Sequence, residues 1–329
     1  MGGTPRRHRR GGVVIARFAA RRAAMLVVTA LVASIAVHGA LFVAPGDPAT
    51  LLVGGGKPPS PRLLAEIHRE YHLDDPFLQS YWRWLTGMLH GDAGRSLTYR
   101  DSVAHLLAAR AGNTLFLVAY AAVLVIVPGV ALGTLAALRG GLADTLVTVA
   151  TTALMAVPTF VTSVLLIWWL SVQWGWFPAY GAGDGLAGRA AHLTLPALAL
   201  AAAWLAYVAQ VTRSAVRAEL GSEHVQTAHA RGIPRRVVVR KHVLRNASGP
   251  IFSVSGVAVA GLIAGCSVVE QAFGVNGVGA LLVQSAAQQD LAVVQALALV
   301  TVVVFVTVNT LVDVVTAALD HRVSLEGSA

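Results

Sequence analysis

Six long apolar runs, divided by shorter polar segments, set the pattern of this chain. They cover residues 23–46, 111–138, 144–169, 192–212, 251–269 and 291–312. Each is close to or above the roughly 20 residues that a helix needs to cross about 30 Å of hydrocarbon. The pattern predicts an all-α polytopic membrane protein with six transmembrane helices. A basic stretch before an apolar run is also the signature of a cleaved signal peptide. Five more runs follow, however, and the first is long enough to span, so it reads as an uncleaved span with its helix at 23–43. The remaining boundaries are a basic tail at 1–22, a long loop at 44–110, a five-helix core at 111–317 containing a polar loop at 213–250, and a tail at 318–329.

Composition agrees with this division. Hydrophobic residues make up 56% of the chain, charged residues 12%, and the mean hydropathy is +0.66, outside the range of soluble domains. A net charge of +9 raises the question of nucleic acid. The bases flank apolar runs instead of forming one patch with interleaved aromatics, so they mark membrane margins and no nucleic-acid partner is expected. With the N-terminus inside, 17 Lys and Arg fall on inner segments and 8 on outer ones. Seven of those eight lie in the first outer loop, where seven acidic residues match them. The expected topology therefore has both termini cytoplasmic in a bacterial inner membrane, surrounded by lipid. Cys266 is the single cysteine and excludes a disulfide or a cysteine-based metal cluster within the chain.

Several local patterns have structural readings. Ser60-Pro61 and Asp75-Pro76 look like helix starts, and the second helix aligns Leu78, Tyr81, Trp82, Leu85 and Leu89 on one face. That helix is expected on the membrane surface or against neighbouring spans. His68 and His72 lack the glutamate placement of HExxH and read as a solvated helix face. Gly54-Gly55-Gly56-Lys57 is followed by Pro58 where a phosphate loop needs Ser or Thr, so no nucleotide site is read there. His38, within the first run, reads as a packed histidine. Gly129 and Gly133 permit close helix approach. Pro158 is placed to kink the third run, and the cluster from Trp168 to Tyr180 forms an interfacial belt. The glycine-rich QAFGVNGVGALL after Glu270 reads as a turn with a re-entrant or surface segment.

The most structured of the polar segments is Glu219 to Pro250. Ser222 fits a helix N-cap, Glu223 suits the positive helix end, Gly232 fits a left-handed stop, and Pro234 can open the next helix. The result is a short rod of about nine residues, Glu223 to Arg231, roughly 13 Å long.

Further motifs, in order along the chain, carry a family resemblance: VAPGDP at 43–48, YHLDDP at 71–76, YWRWL at 81–85, GDAGRSL at 91–97, TAHARG at 227–232, KHVLRN at 241–246 and VNTLVDVVTAALDHR at 308–322. The chain resembles the inner-membrane permease subunit of ABC importers in the dipeptide, oligopeptide and nickel group. The resemblance implies a transport subunit that binds no cofactor itself, with ATP hydrolysed on two separate ATPase subunits. It also implies a second permease subunit, as a heterodimer, and an extracytoplasmic solute-binding protein. It makes the short rod a cytoplasmic coupling helix and carries that role to Glu219, Glu223, Thr227, Ala228, Ala230, Arg231 and Gly232. Ala228 and Ala230 are small enough to let a partner approach. His224, Gln226 and His229 depart from the family's more usual aromatic and basic residues. Peptide is the first expectation for the solute.

Two other classes compete. A self-sufficient secondary transporter or channel needs ionisable groups deep in its spans or duplicated broken helices. Here Asp144, Glu270 and Asp313 stand near span ends, His38 alone is deep, and no inverted repeat is evident. A membrane-embedded enzyme needs a polar constellation that the scattered histidines do not supply.

Overall fold

The computed structural model describes residues 6–43, 60–70, 74–96 and 98–319. VAPGDP beyond Val43, the Gly54 to Lys57 loop, His72 and the tail from residue 320 lie outside them. The described residues are mostly helical, with one isolated bridge between Arg95 and Ser102. Helix α1 (Arg6–Val43) is followed by α2 (Pro61–Glu70) and α3 (Phe77–Leu89). The core then holds α4 (Val103–Arg139), α5 (Gly141–Ala156), α6 (Thr159–Leu166) and α7 (Gly185–Leu220). After the short α8 (Glu223–Ala230) and α9 (Arg235–Val238) come α10 (Leu244–Ala272), α11 (Val278–Ala287) and α12 (Leu291–Leu319). Among the described residues five helices are long and apolar enough to cross a membrane, and six spans result when α5 and α6 count as one broken span.

That broken span departs from the continuous run expected at 144–169. The chain turns by 100° between the two halves. Val157 is extended, as a residue before proline prefers, and Pro158 starts α6 without an amide to continue the ladder. By contrast Pro128, Pro196 and Pro250 all lie inside unbroken helices.

The centre of the bundle is the pair α4 and α7, joined by α10. A Cβ on Gly133 would stand 2.3 Å from the Ala209 carbonyl oxygen, and one on Gly129 would stand 3.1 Å from that of Leu205. Both contacts advance four residues together, so the two helices run parallel at backbone contact. In the other direction, Gly261 faces the Trp204 indole and Gly265 faces Leu200, which makes α10 antiparallel to α7. Leu117, Val125, Leu193, Val208, Leu262 and Phe273 fill the space between the three. At the rim, α1 and α12 are tied by an Arg22–Asp313 ion pair at 3.0 Å, so the start of α1 and the end of α12 share one side of the bundle.

Helix α3 carries two apolar stripes instead of the single face expected. Phe77, Tyr81 and Trp84 surround the His38 ring at centroid distances of 5.3–5.7 Å, and the Tyr81 hydroxyl lies 2.8 Å from Ser34 Oγ. Leu78, Trp82 and Leu89 form the neighbouring stripe and are exposed. Tyr81 thus belongs to the packed side. Buried His38 also places Nδ1 3.2 Å from the Gln295 side-chain amide on α12, in line with a packed histidine.

The α4–α7 contact yields a direct test. Gly133→Ala should destabilise the solubilised protein by about 1–3 kcal/mol through overpacking. Gly112→Ala, which meets nothing within 4 Å, should be close to neutral. Thermal unfolding in detergent compares the two midpoints.

Candidate functional site

Between α7 and α10 the chain forms the short rod expected from its sequence, and its ends are fixed by backbone chemistry. The Gly232 amide donates to the His229 carbonyl at 2.9 Å and the Ile233 amide to the Ala228 carbonyl at 3.2 Å. Gly232 has φ +73. This is a Schellman stop, in which the left-handed residue suits glycine because it has no Cβ to clash. At the other end Ser222 occupies the N-cap position with extended backbone, but its hydroxyl donates backwards, to the Glu219 carbonyl at 2.6 Å. The capping bond expected of Ser222 is therefore not made, and the side chain closes the turn out of α7 instead.

One face of α8 is seated on the bundle. Val225 and Ala228 are buried in a cluster with Ala137 of α4, Val216 of α7, Val238 of α9, and Val243 and Ala247 at the start of α10, with Ile233 packed on it. Ala228 thus points inwards, where a larger side chain would lift the rod from its seat. This corrects the expectation that it leaves room for a partner. The opposite face exposes Glu223, Gln226, Thr227 and Ala230, followed by exposed Arg231 and Gly232.

Glu219 is used within the chain. Its carboxylate accepts from the Asn246 side-chain amide at 3.4 Å, and His224 Nε2 lies 3.4 Å from the same oxygen and 3.0 Å from Asn246 Nδ2. The end of α7, the start of α8 and the start of α10 meet there. The KHVLRN motif supplies Asn246, and its Lys241, His242 and Val243 lie in a π-helical turn, Val239–Val243, that leads into α10.

A second brace lies earlier on α7, at Arg213 and Arg217. Asp144, at the start of α5, accepts two bonds from the Arg213 guanidinium, the Nη2 one at 2.8 Å, and one from Arg217 Nη1 at 3.0 Å. The carboxylate is nearly buried, and the fork geometry of arginine makes the pair directional. Arg235 Nη2 adds a bond to the Leu138 carbonyl at the end of α4. These contacts join the α4–α5 turn to the α8 platform. The sequence held a hint of this, since Asp144 and Arg213 are the charges at the two apolar-run ends expected on the same side.

The far end of the bundle has its own anchor. Glu270 is fully buried, accepts from Thr114 Oγ1 at 2.6 Å and from the Ala280 amide at 2.8 Å, and packs against Gly277. It thereby fixes the N-terminus of α11, a ten-residue apolar helix too short to span. Ser96 of GDAGRSL donates to the buried Asp290 carboxylate at the α11–α12 turn.

Residues 129–325 match the family model described as binding-protein-dependent transport system inner membrane component, and residues 15–107 match the model of its N-terminal part. The chain belongs to this family. It is 34% identical over 307 residues to a chain named as a peptide transport system permease of Brucella abortus (strain 2308), covering 92% of this chain and 97% of that one. The glutathione transport system permease of Salmonella paratyphi A is 34% identical over 297 residues, 90% of this chain and 94% of its own. The corresponding Escherichia coli K12 protein is 33% identical over 296 residues, with the same shares. The protein is thus a multi-pass inner-membrane permease of an ABC importer, a class of system that works with ATPase and solute-binding partners. TAHARG forms the second half of the rod and its stop, and KHVLRN supplies Asn246, which braces its start.

The seat and the brace predict separable defects. Ala228→Leu should raise protease cleavage within 221–234 while leaving the spans folded. Asp144→Ala should lower the unfolding midpoint, because it leaves the Arg213 and Arg217 guanidinium groups without their shared carboxylate, and an added Arg213→Leu should recover part of that loss. Unfolding in detergent measures both.

Proposed function

We propose that this permease moves a peptide, or a similarly sized amide-bearing solute, inward by alternating access, driven by ATP bound and hydrolysed on two separate subunits. Helix α8 is the coupling element and inserts its exposed face, Glu223, Gln226, Thr227, Ala230 and Arg231, into a groove of an ATPase subunit on the cytoplasmic side. Glu219, Ala228 and Gly232 serve the same function from behind, by bracing, seating and ending the rod. A second permease subunit completes the path in a heterodimer, an extracytoplasmic binding protein delivers the solute, and both termini are cytoplasmic. This chain supplies no ATPase site or cofactor of its own.

The observation that carries this reading is the way α8 is held. A rod of eight residues, about 12 Å long, has one face free and the other packed simultaneously on α4, α7 and α10. A displacement of the free face therefore acts on three spans at once. Peptide as the solute follows from the names of the relatives. The charged groups that a self-sufficient transporter would use as ion carriers are occupied: Asp144 by Arg213 and Arg217, Asp313 by Arg22, and Glu270 by Thr114 and the α11 amides.

Reconstitution with both ATPase subunits tests the coupling role. Gly232→Val forces a branched side chain into φ +73 and should reduce vanadate-sensitive uptake of radiolabelled dialanine by about tenfold or more, the size of a typical coupling energy, while ATP hydrolysis continues. Wild-type uptake by Gly232→Val would remove α8 from the mechanism. Proton-driven uptake without ATP would remove the importer reading altogether.

A further inference from the structure

Two helices of the broken-span region expose surfaces of different chemistry at the same depth. On α5, Leu142, Leu146 and Val149 form an exposed apolar stripe. Beside it Thr145, Thr148 and Thr152 follow at three- and four-residue spacing, with Thr145 and Thr152 exposed and Thr148 half-buried. On α7, Tyr207, Gln210, Ser214 and Arg217 recur at the same spacing, opposite the buried Val208, Thr212 and Val216. The two polar edges meet. The Gln210 side-chain amide donates to Thr151 Oγ1 and Thr152 Oγ1, both at 3.3 Å.

This meeting leaves hydrogen-bonding capacity unused. Among the described residues nothing donates to the Gln210 side-chain carbonyl, and the enclosed Thr148 hydroxyl has no partner. Threonine hydroxyls in membrane helices ordinarily bond back to their own helix, as Thr151 does to the Val147 carbonyl at 2.8 Å. Thr145 does the same to the Gly141 carbonyl at 3.2 Å. A half-exposed amide with an unmet carbonyl facing hydrocarbon would be costly, whereas the Leu142 stripe suits lipid.

We propose that the Thr145–Thr148–Thr152 edge of α5 and the Tyr207–Gln210–Ser214 edge of α7 line the water-filled solute path, with Gln210 as its principal hydrogen-bonding contact. This deepens the permease reading and rests on it. The lining presents neutral donors and acceptors beside the Trp204–Tyr207 aromatic pair, whose ring centroids are 6.1 Å apart. The charges at the end of these edges, Arg213 and Arg217, are both tied to Asp144. Such a surface suits solutes rich in amides: it offers exchangeable hydrogen bonds, and it holds no charge that would trap the solute on its way through.

The single natural cysteine makes the test clean, because Cys266 is buried and can be replaced by alanine. In that background, single cysteines are placed at Thr152, Gln210, Leu146 and Val149 of the full transporter in membrane vesicles. They are then treated with a charged, membrane-impermeant methanethiosulfonate. Thiolate forms where water reaches, so Thr152→Cys and Gln210→Cys should react about tenfold or more faster than Leu146→Cys and Val149→Cys. Equal rates at all four positions would overturn the proposal. So would an inert Gln210→Cys and Thr152→Cys pair in vesicles that still take up radiolabelled dialanine, which would mark this edge as a dry contact with the second subunit. If Gln210→Cys does not assemble, Ser214→Cys takes its place with the same two outcomes. Fast labelling together with no dialanine uptake by the cysteine-free parent, in which Gln210 is intact, would leave the path in place and remove dialanine as its solute.

Discussion

The backbone contact between α4 and α7 is the constraint on which the remaining architecture depends. Two glycines one turn apart let parallel helices touch at the Leu205 and Ala209 carbonyls. In lipid, association has little hydrophobic drive, so close van der Waals contact between backbones carries much of it. Because the contact is parallel, α5 and α6 must bring the chain back between the two helices. They do so as a broken span whose bend is set at Pro158. The break leaves α5 leaning on α7, where Asp144 meets Arg213 and Gln210 meets Thr151 and Thr152. The seat of α8 and the polar edge both follow from that placement.

At one end of this frame the chain ends α7, turns and builds a rod too short to be stable alone. Isolated helices of this length do not form in water. The rod persists because Val225 and Ala228 are buried in a cluster shared with three spans, with Ile233 packed against it, and because the turn at Gly232 closes it with two backbone bonds. The opposite end uses the same device with a buried carboxylate: Glu270 fixes α11 as Gly232 and its seat fix α8. Both attached helices are therefore extensions of the bundle and follow its spans.

Much of this was legible beforehand. Run length gave the spans, Ser222 and Gly232 gave the limits of α8, and Gly129 with Gly133 gave a close helix contact, because each depends on local conformation or on transfer into hydrocarbon. The faces were less legible. Ala228 and Ala230 are the same residue type two positions apart, and nothing local says that one is seated and the other free. Tyr81 joins the His38 side of α3 although its spacing also fits the exposed stripe. Glu219 looked available to a partner until Asn246, from beyond the next turn, closed on it.

The sequence by itself determined that this chain is an all-α membrane protein of six apolar segments with a capped polar helix before the fifth, since burial in lipid and glycine, proline and capping preferences act over a few residues. Only the tertiary structure decided which charges pair, which face of α8 is free, that the third span is broken by 100°, and that Gln210 meets Thr152. The physical reason is that each of these is a contact between segments tens of residues apart. Such contacts are selected by packing distance and by the need of polar groups in a low-dielectric interior to find partners, and that need can be met in several ways until the helices are placed.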